Sequence, residues 1–165
     1  GITARDIVNE WGEQDIANVL FGYGEERYAR RIAGAIAAAR AKGTIETSGQ
    51  LAQLIETAVP ASYRRRKTHP ATKTFQALRI ATNDELRNIR EALPKAWKLL
   101  SPGGRIAVIS FHSLEDRIVK HTFREFTQNG EGILCTKKPT TPTPEELQKN
   151  PRARSAKLRG IEKIK

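Results

Sequence analysis

An α/β fold, mostly helical and with about three strands, is predicted by three observations. Residues 3–58 place apolar side chains at helical spacing and show no alternating pattern. Arg105–Ile109 (RIAVI) is a short apolar run opened by Pro102-Gly103-Gly104 and followed by a polar motif that starts another helix. That arrangement is the signature of a buried parallel strand, expected at the centre of its sheet. Two shorter runs, 133–136 and 156–161, suit further strands.

The elements follow in order. Thr3 caps a first helix carrying Ile7, Val8 and Trp11, and a second runs from Glu13 through Ile16, Val19, Leu20 and Tyr23. After Gly24 a longer helix, Glu25 to Ala41, sets Tyr28, Ile32, Ile36 and Ala39 on one stripe and ends at Gly43. Thr47 or Ser48 caps a fourth with Leu51, Leu54 and Ile55, stopped by Pro60. Residues 61–73 read as a basic loop, and 72–100 are again helical. Asn83 or Asp84 marks a break there, and Pro94 opens a restarted helix containing Trp97. Beyond the strand, Ser113 caps an amphipathic helix to Phe126, and Thr143 caps a short helix begun by Pro144. The expected division is 1–88, a helical domain, and 89–165, part of an α/β core.

Charge is the most uneven property of the chain. Residues 1–60 carry six Lys/Arg against eight Asp/Glu, whereas residues 61–165 carry 23 against ten. A basic excess of that size points to a polyanion, above all nucleic acid. It concentrates in Arg64, Arg65, Arg66, Lys67, His69 and Lys73, headed by Tyr63, and in Arg152, Arg154, Lys157 and Arg159 of the tail. Cations beside an aromatic ring suit phosphate contact with base stacking. One cysteine, Cys135, excludes a disulfide framework or a cysteine-based zinc site, and three scattered histidines give no metal cluster. No apolar run is long enough for a membrane span, so a cytoplasmic location is expected.

The chemistry-bearing residues gather after the strand. In an open α/β sheet, ligands bind outside the carboxyl ends of strands. There stand Ser110, Phe111, His112, Ser113, Glu115 and Asp116. Ser113 and the acids suit a helix start by themselves, but Phe111 and His112 precede it. No G-x-G-x-x-G or G-x-x-x-x-G-K loop follows any predicted strand.

Four blocks, GYGEERYARRIAGAI (22–36), HPATKTFQALRIATNDEL (69–86), LLSPGGRIAVISFHSLEDRIVK (99–120) and NPRARSAKLR (150–159), resemble the bacterial RsmH or MraW family of small-subunit rRNA cytosine-N4 methyltransferases. The resemblance implies part of a class I (Rossmann-like) methyltransferase core with an α-helical insertion domain. It implies S-adenosylmethionine as cofactor, although the family's glycine-rich cofactor loop has no matching position here. An N-terminally truncated member, inactive alone, is therefore expected. The implied partner is 16S rRNA or the small ribosomal subunit, methylated on the exocyclic N4 of a cytidine in the decoding region. Because that nitrogen's lone pair is delocalised, catalysis rests on positioning. Phe111 is expected to stack on the extruded base, with Ser110, His112, Ser113 or Asp116 bonding its edge. The competing reading is a non-catalytic basic RNA-binding module; a glycine-rich strand–turn–helix elsewhere in the protein would decide between them.

Overall fold

The computed structural model describes residues 1–165 and divides them into two compact units, 1–84 and 85–165.

Unit 1 is wholly helical: α1 (Ala4–Glu10), α2 (Glu13–Gly24), α3 (Ala29–Arg40), α4 (Ser48–Ala58), α5 (Ala61–Arg64) and α6 (Thr72–Asn83). Local chemistry fixes two starts. Thr3 Oγ1 accepts the Asp6 N–H while the Asp6 carboxylate accepts the Thr3 N–H, and Thr47 and Gln50 repeat this capping box. Ile7, Ile16, Leu20, Ile32, Ile36, Ile55 and Leu78 form the core. Gly24 lets α2 meet α6, since a Cβ there would lie 2.7 Å from the Lys73 carbonyl oxygen.

The third helix starts later than its periodicity predicts. Glu25 adopts φ 48° and closes α2, and α3 begins only at Ala29. The intervening Glu26 is fully buried and accepts from the Tyr28 N–H at 2.9 Å and the Tyr63 hydroxyl at 2.6 Å. Satisfying a buried carboxyl group outweighs continuing the helix. Residues 61–64, expected as loop, form the short α5 that brings Tyr63 to it.

Unit 2 consists of α7 (Glu85–Leu99), β1 (Arg105–Ser110), α8 (Ser113–Gln128), β2 (Gly132–Leu134), α9 (Pro144–Lys149), a 3-10 turn (Pro151–Ser155) and β3 (Lys157–Lys163). Thr143 caps α9, with Pro144 in its first turn. The strands form an antiparallel sheet in the order β1-β3-β2, with Ile106 opposite Ile161 and Ile109 opposite Leu158.

Three expectations are corrected here. β1 is an edge strand with an antiparallel partner, not a central parallel one, because the long strand available to it returns from the far end of the unit. Its inner residues Ile106 and Val108 pack with Leu93, Trp97, Val119, Phe123 and Ile161. Its outer face stays open: Ile109 is 59% exposed, and Ile133 and Leu158 are exposed as well. Second, β2 lies at 132–134, not 133–136. Third, Pro94 sits inside α7. The helix tolerates it because Ile89, Leu93 and Trp97, each one turn apart, all pack into the same cluster. Trp97 stacks on Phe126 with ring centroids 4.4 Å apart, and Lys163 Nζ donates to the carbonyls of Trp97, in the last turn of α7, and of Leu100, just beyond it.

Candidate functional site

The carboxyl end of β1 feeds Ser110, Phe111 and His112 into the turn before α8. The N–H groups of Phe111 and His112 donate to Glu115 Oε2 at 2.8 and 3.3 Å, and His112 Nδ1 accepts the Glu115 N–H at 3.4 Å. This is a capping box built on a histidine. Nδ1 stands as many bonds from Cα as the oxygen of an asparagine cap, so the ring reaches where a shorter side chain would. The cap is thus His112, and Ser113 is the first helical residue rather than the cap.

With Nδ1 accepting, the ring proton lies on Nε2. That atom is buried, 3.5 Å from Glu115 Oε1 and 3.9 Å from Glu85 Oε2. The structure therefore gathers one histidine with two carboxylates, where the sequence shows only scattered histidines. In this tautomer a proton, not a lone pair, faces the carboxylates. The trio as arranged orients the turn.

Phe111 stands beside it, 54% exposed. Ser110 is buried with no hydrogen-bond partner for its Oγ, so no base edge reaches it in this conformation. Asp116 is also buried and engaged. Arg159 donates to Oδ1 at 2.7 Å and Oδ2 at 3.1 Å, and Lys157 Nζ to Oδ2 at 3.3 Å. Hydrogen bonding from Arg159 holds the Asp116 carboxyl below the usual carboxylate range, against the opposing effect of burial. Asp116, Lys157 and Arg159, expected to meet base and phosphate, are joined to one another here and tie α8 to β3.

The basic segments sort the same way. Tyr63 is only 5% exposed and packs edge-on against Tyr28 at 5.0 Å, so it offers no face to a base. Burial, then the hydrogen bond to Glu26, raises its phenol above the ordinary value. Arg64, Arg65, Arg66 and Lys67 are exposed, with the Arg66 guanidinium 4.9 Å from the Tyr63 ring centroid. His69 Nε2 lies 2.9 Å from Glu56, and Lys73 Nζ donates to the Glu25 carbonyl at 2.8 Å, so both hold unit 1 together. In the tail, Arg152 and Arg154 are exposed on the 3-10 turn.

The model of the MraW methylase family matches residues 1–164. The chain belongs to that family. Three relatives, each named ribosomal RNA small subunit methyltransferase H, show how close the match is. The protein from Kosmotoga olearia is 54% identical over 99% of this chain and 54% of its own length. That from Persephonella marina is 51% identical over 98% and 55%. That from Paenibacillus sp. (strain JDR-2) is 49% identical over 99% and 56%. The chain spans about half the length of the curated relatives it matches. No helix is long and apolar enough to cross a membrane.

In this MraW-family chain, sequence reasoning missed Glu26 and Glu85. Each acts on a partner far along the chain, Tyr63 and His112 respectively, and no local spacing signals either pairing.

Proposed function

We propose that this chain is the RNA-handling part of a cytoplasmic, S-adenosylmethionine-dependent enzyme that methylates the exocyclic N4 of a cytidine in the decoding region of 16S rRNA, working on the rRNA or the small ribosomal subunit. In this reading residues 1–88 are the helical insertion and 89–165 a part of the methyltransferase core. The observation that carries it is the exposed Phe111 on a turn fixed from both sides, by Glu115 on its own N–H and by His112 at the start of α8. A ring held that way stacks on an extruded base without losing much conformational freedom. His112 and Ser113 flank it, and Arg64, Arg65, Arg66, Lys67, Arg152 and Arg154 supply phosphate contacts. Tyr63, His69, Lys73, Lys157 and Arg159 support these groups from behind, as do Ser110 and Asp116.

The residues present do not fit the cofactor. The N–H groups of Phe111 and His112, which a strand-end turn could turn toward a ligand, are already given to Glu115. The open outer face of β1 and its unpaired edge are where the relatives' additional length completes the sheet in this reading.

Calorimetric titration separates the parts. The chain is expected to bind a hairpin of the decoding-region rRNA with salt-dependent affinity and S-adenosylmethionine not at all. Micromolar cofactor binding overturns the division of labour. Absence of RNA binding overturns the RNA reading, including the alternative of a non-catalytic basic RNA-binding module.

A further inference from the structure

Unit 1 carries a second basic feature, remote in sequence from the 64–67 cluster. Where α2 lies along the start of α3, a cavity of about 450 Å³ opens, lined by Gln14, Asn18, Phe21, Arg27, Arg30 and Arg31. Its volume is within the range of sites for small ligands. Three guanidinium groups and no carboxylate line it. That is half of the six cations in residues 1–60, set within five positions of a segment whose balance is otherwise acidic.

The apolar part of the lining is equally unusual. α2 buries Ile16, Ala17 and Leu20, whereas Phe21 is turned outward and 69% exposed. A phenyl ring at the mouth of an arginine-lined cavity suits a ligand with a flat apolar face and negative charge beside it. Arg27 is already in place: its guanidinium lies 4.6 Å from the Tyr28 ring centroid and donates to the Tyr28 hydroxyl. Gln14 Nε2 donates to Asn18 Oδ1 at 3.0 Å, leaving the Gln14 carbonyl and the Asn18 amide nitrogen for other partners. α3 starts here with no side-chain cap and no acidic residue in its first turn, which adds to the positive field.

We infer that this cavity is a binding site for one unpaired nucleotide of single-stranded RNA, its base stacked on Phe21 and its phosphates held by Arg27, Arg30 and Arg31. The inference rests on the RNA reading above and adds a contact separate from Phe111, serving the strand rather than the base to be methylated.

The test is fluorescence anisotropy with a labelled single-stranded RNA dodecamer, using the full chain and three variants checked for unchanged helicity. Phe21→Ala is expected to weaken binding roughly five- to hundredfold, the range for loss of one base–aromatic stack. Arg30→Ala with Arg31→Ala is expected to lower the salt slope by about 0.7 for each phosphate no longer neutralised. Phe21→Trp is expected to keep the affinity and show indole quenching on RNA addition. If the chain binds RNA but Phe21→Ala changes affinity less than twofold, the nucleotide site is overturned while the broader reading stands. A changed salt slope with no Phe21 effect leaves only an anion site and also overturns it. Failure of the unaltered chain to bind any RNA overturns both.

Discussion

Each unit buries one carboxyl group, and the two are satisfied by different chemistry. In unit 1 Glu26 accepts from a phenol and a backbone N–H, in a unit whose apolar core draws residues from all six helices. In unit 2 Asp116 accepts from Arg159 and Lys157 at the margin of a sheet that is covered on one face only. A closed helical core has enough apolar burial to hold its shape around one carboxyl group that has hydrogen bonds but no paired cation on it. The half-covered sheet has less apolar packing between α8 and β3, and ionic bonds supply the registration there. The difference predicts that the units respond differently to loss of charge.

The largest expected effect is therefore at Asp116. Asp116→Ala leaves the partly buried Arg159 without its counter-charge, at a cost to unit 2 of about 3 kcal/mol, the lower end of the range for breaking a buried pair. Denaturant titration followed through Trp97, with Trp11 replaced by Phe to isolate the signal, measures it. Acid acts through the same group. The folded-state pKa of Asp116 is depressed, so the tie contributes fully above the unfolded value of about 3.9 and is lost as pH falls through the lower folded value. Unit 2 is expected to lose stability below about pH 4, and the variant to lose less over that interval. Equal acid slopes in parent and variant would break the comparison.

Tyr63→Phe is the matching experiment in unit 1. It removes the 2.6 Å hydrogen bond and leaves Glu26 Oε2 without its side-chain donor, which is expected to cost about 1–3 kcal/mol. Thermal unfolding read by far-ultraviolet circular dichroism reports it. A loss as large as that of Asp116→Ala would mean that the phenol matters as much to unit 1 as the ion pair does to unit 2.

These two pairings also mark how far the sequence could be read. Helix starts governed by neighbours three residues apart, at Thr3, Thr47 and Thr143, were legible because the whole interaction lies within one turn. So was the strand after Gly103, whose φ of 84° closes the turn that the Pro-Gly-Gly motif announces. The direction of β1's partner was not legible, because it depends on a strand some fifty residues away. Within the site, Phe111 and the exposed arginines could be picked out as types. Residue type did not reveal that Tyr63 faces inward or that Asp116, Lys157 and Arg159 satisfy one another. Burial and pairing are decided by tertiary structure, and cations in the tail look alike whether they meet solvent or a carboxylate.

A third prediction uses the exposed cations to sharpen the contrast between stability and binding. Replacing Arg64, Arg65 and Arg66 together by alanine is expected to leave folding within about 0.5 kcal/mol, as for surface positions generally. It should reduce the salt slope of RNA binding by about 0.7 for every phosphate the cluster neutralises and weaken all sequences alike. Anisotropy at several salt concentrations gives both quantities. An unchanged slope would make the cluster a solvated segment and leave Arg152 and Arg154 as the remaining candidates outside the α2–α3 cavity.

Among the groups that hold a structural partner, the smallest expected loss of stability is at His112, where structure and proposed function overlap. Losing an N-cap side chain costs about 1 kcal/mol, and the 3.4 Å bond from Glu115 places His112→Ala toward the lower end of the range. His112→Asn retains an acceptor the same number of bonds from Cα, so it is expected to recover most of that loss. It does not retain the Nε2 proton facing Glu85 and Glu115. In the full-length protein the two variants therefore separate the roles. If His112 only caps α8, the asparagine variant keeps methyl transfer to small-subunit rRNA near the parent rate. If the imidazole also positions Phe111 and the base, both variants lose methyl transfer while keeping RNA affinity within about twofold. Initial rates with labelled cofactor, set against anisotropy on the same RNA, decide it.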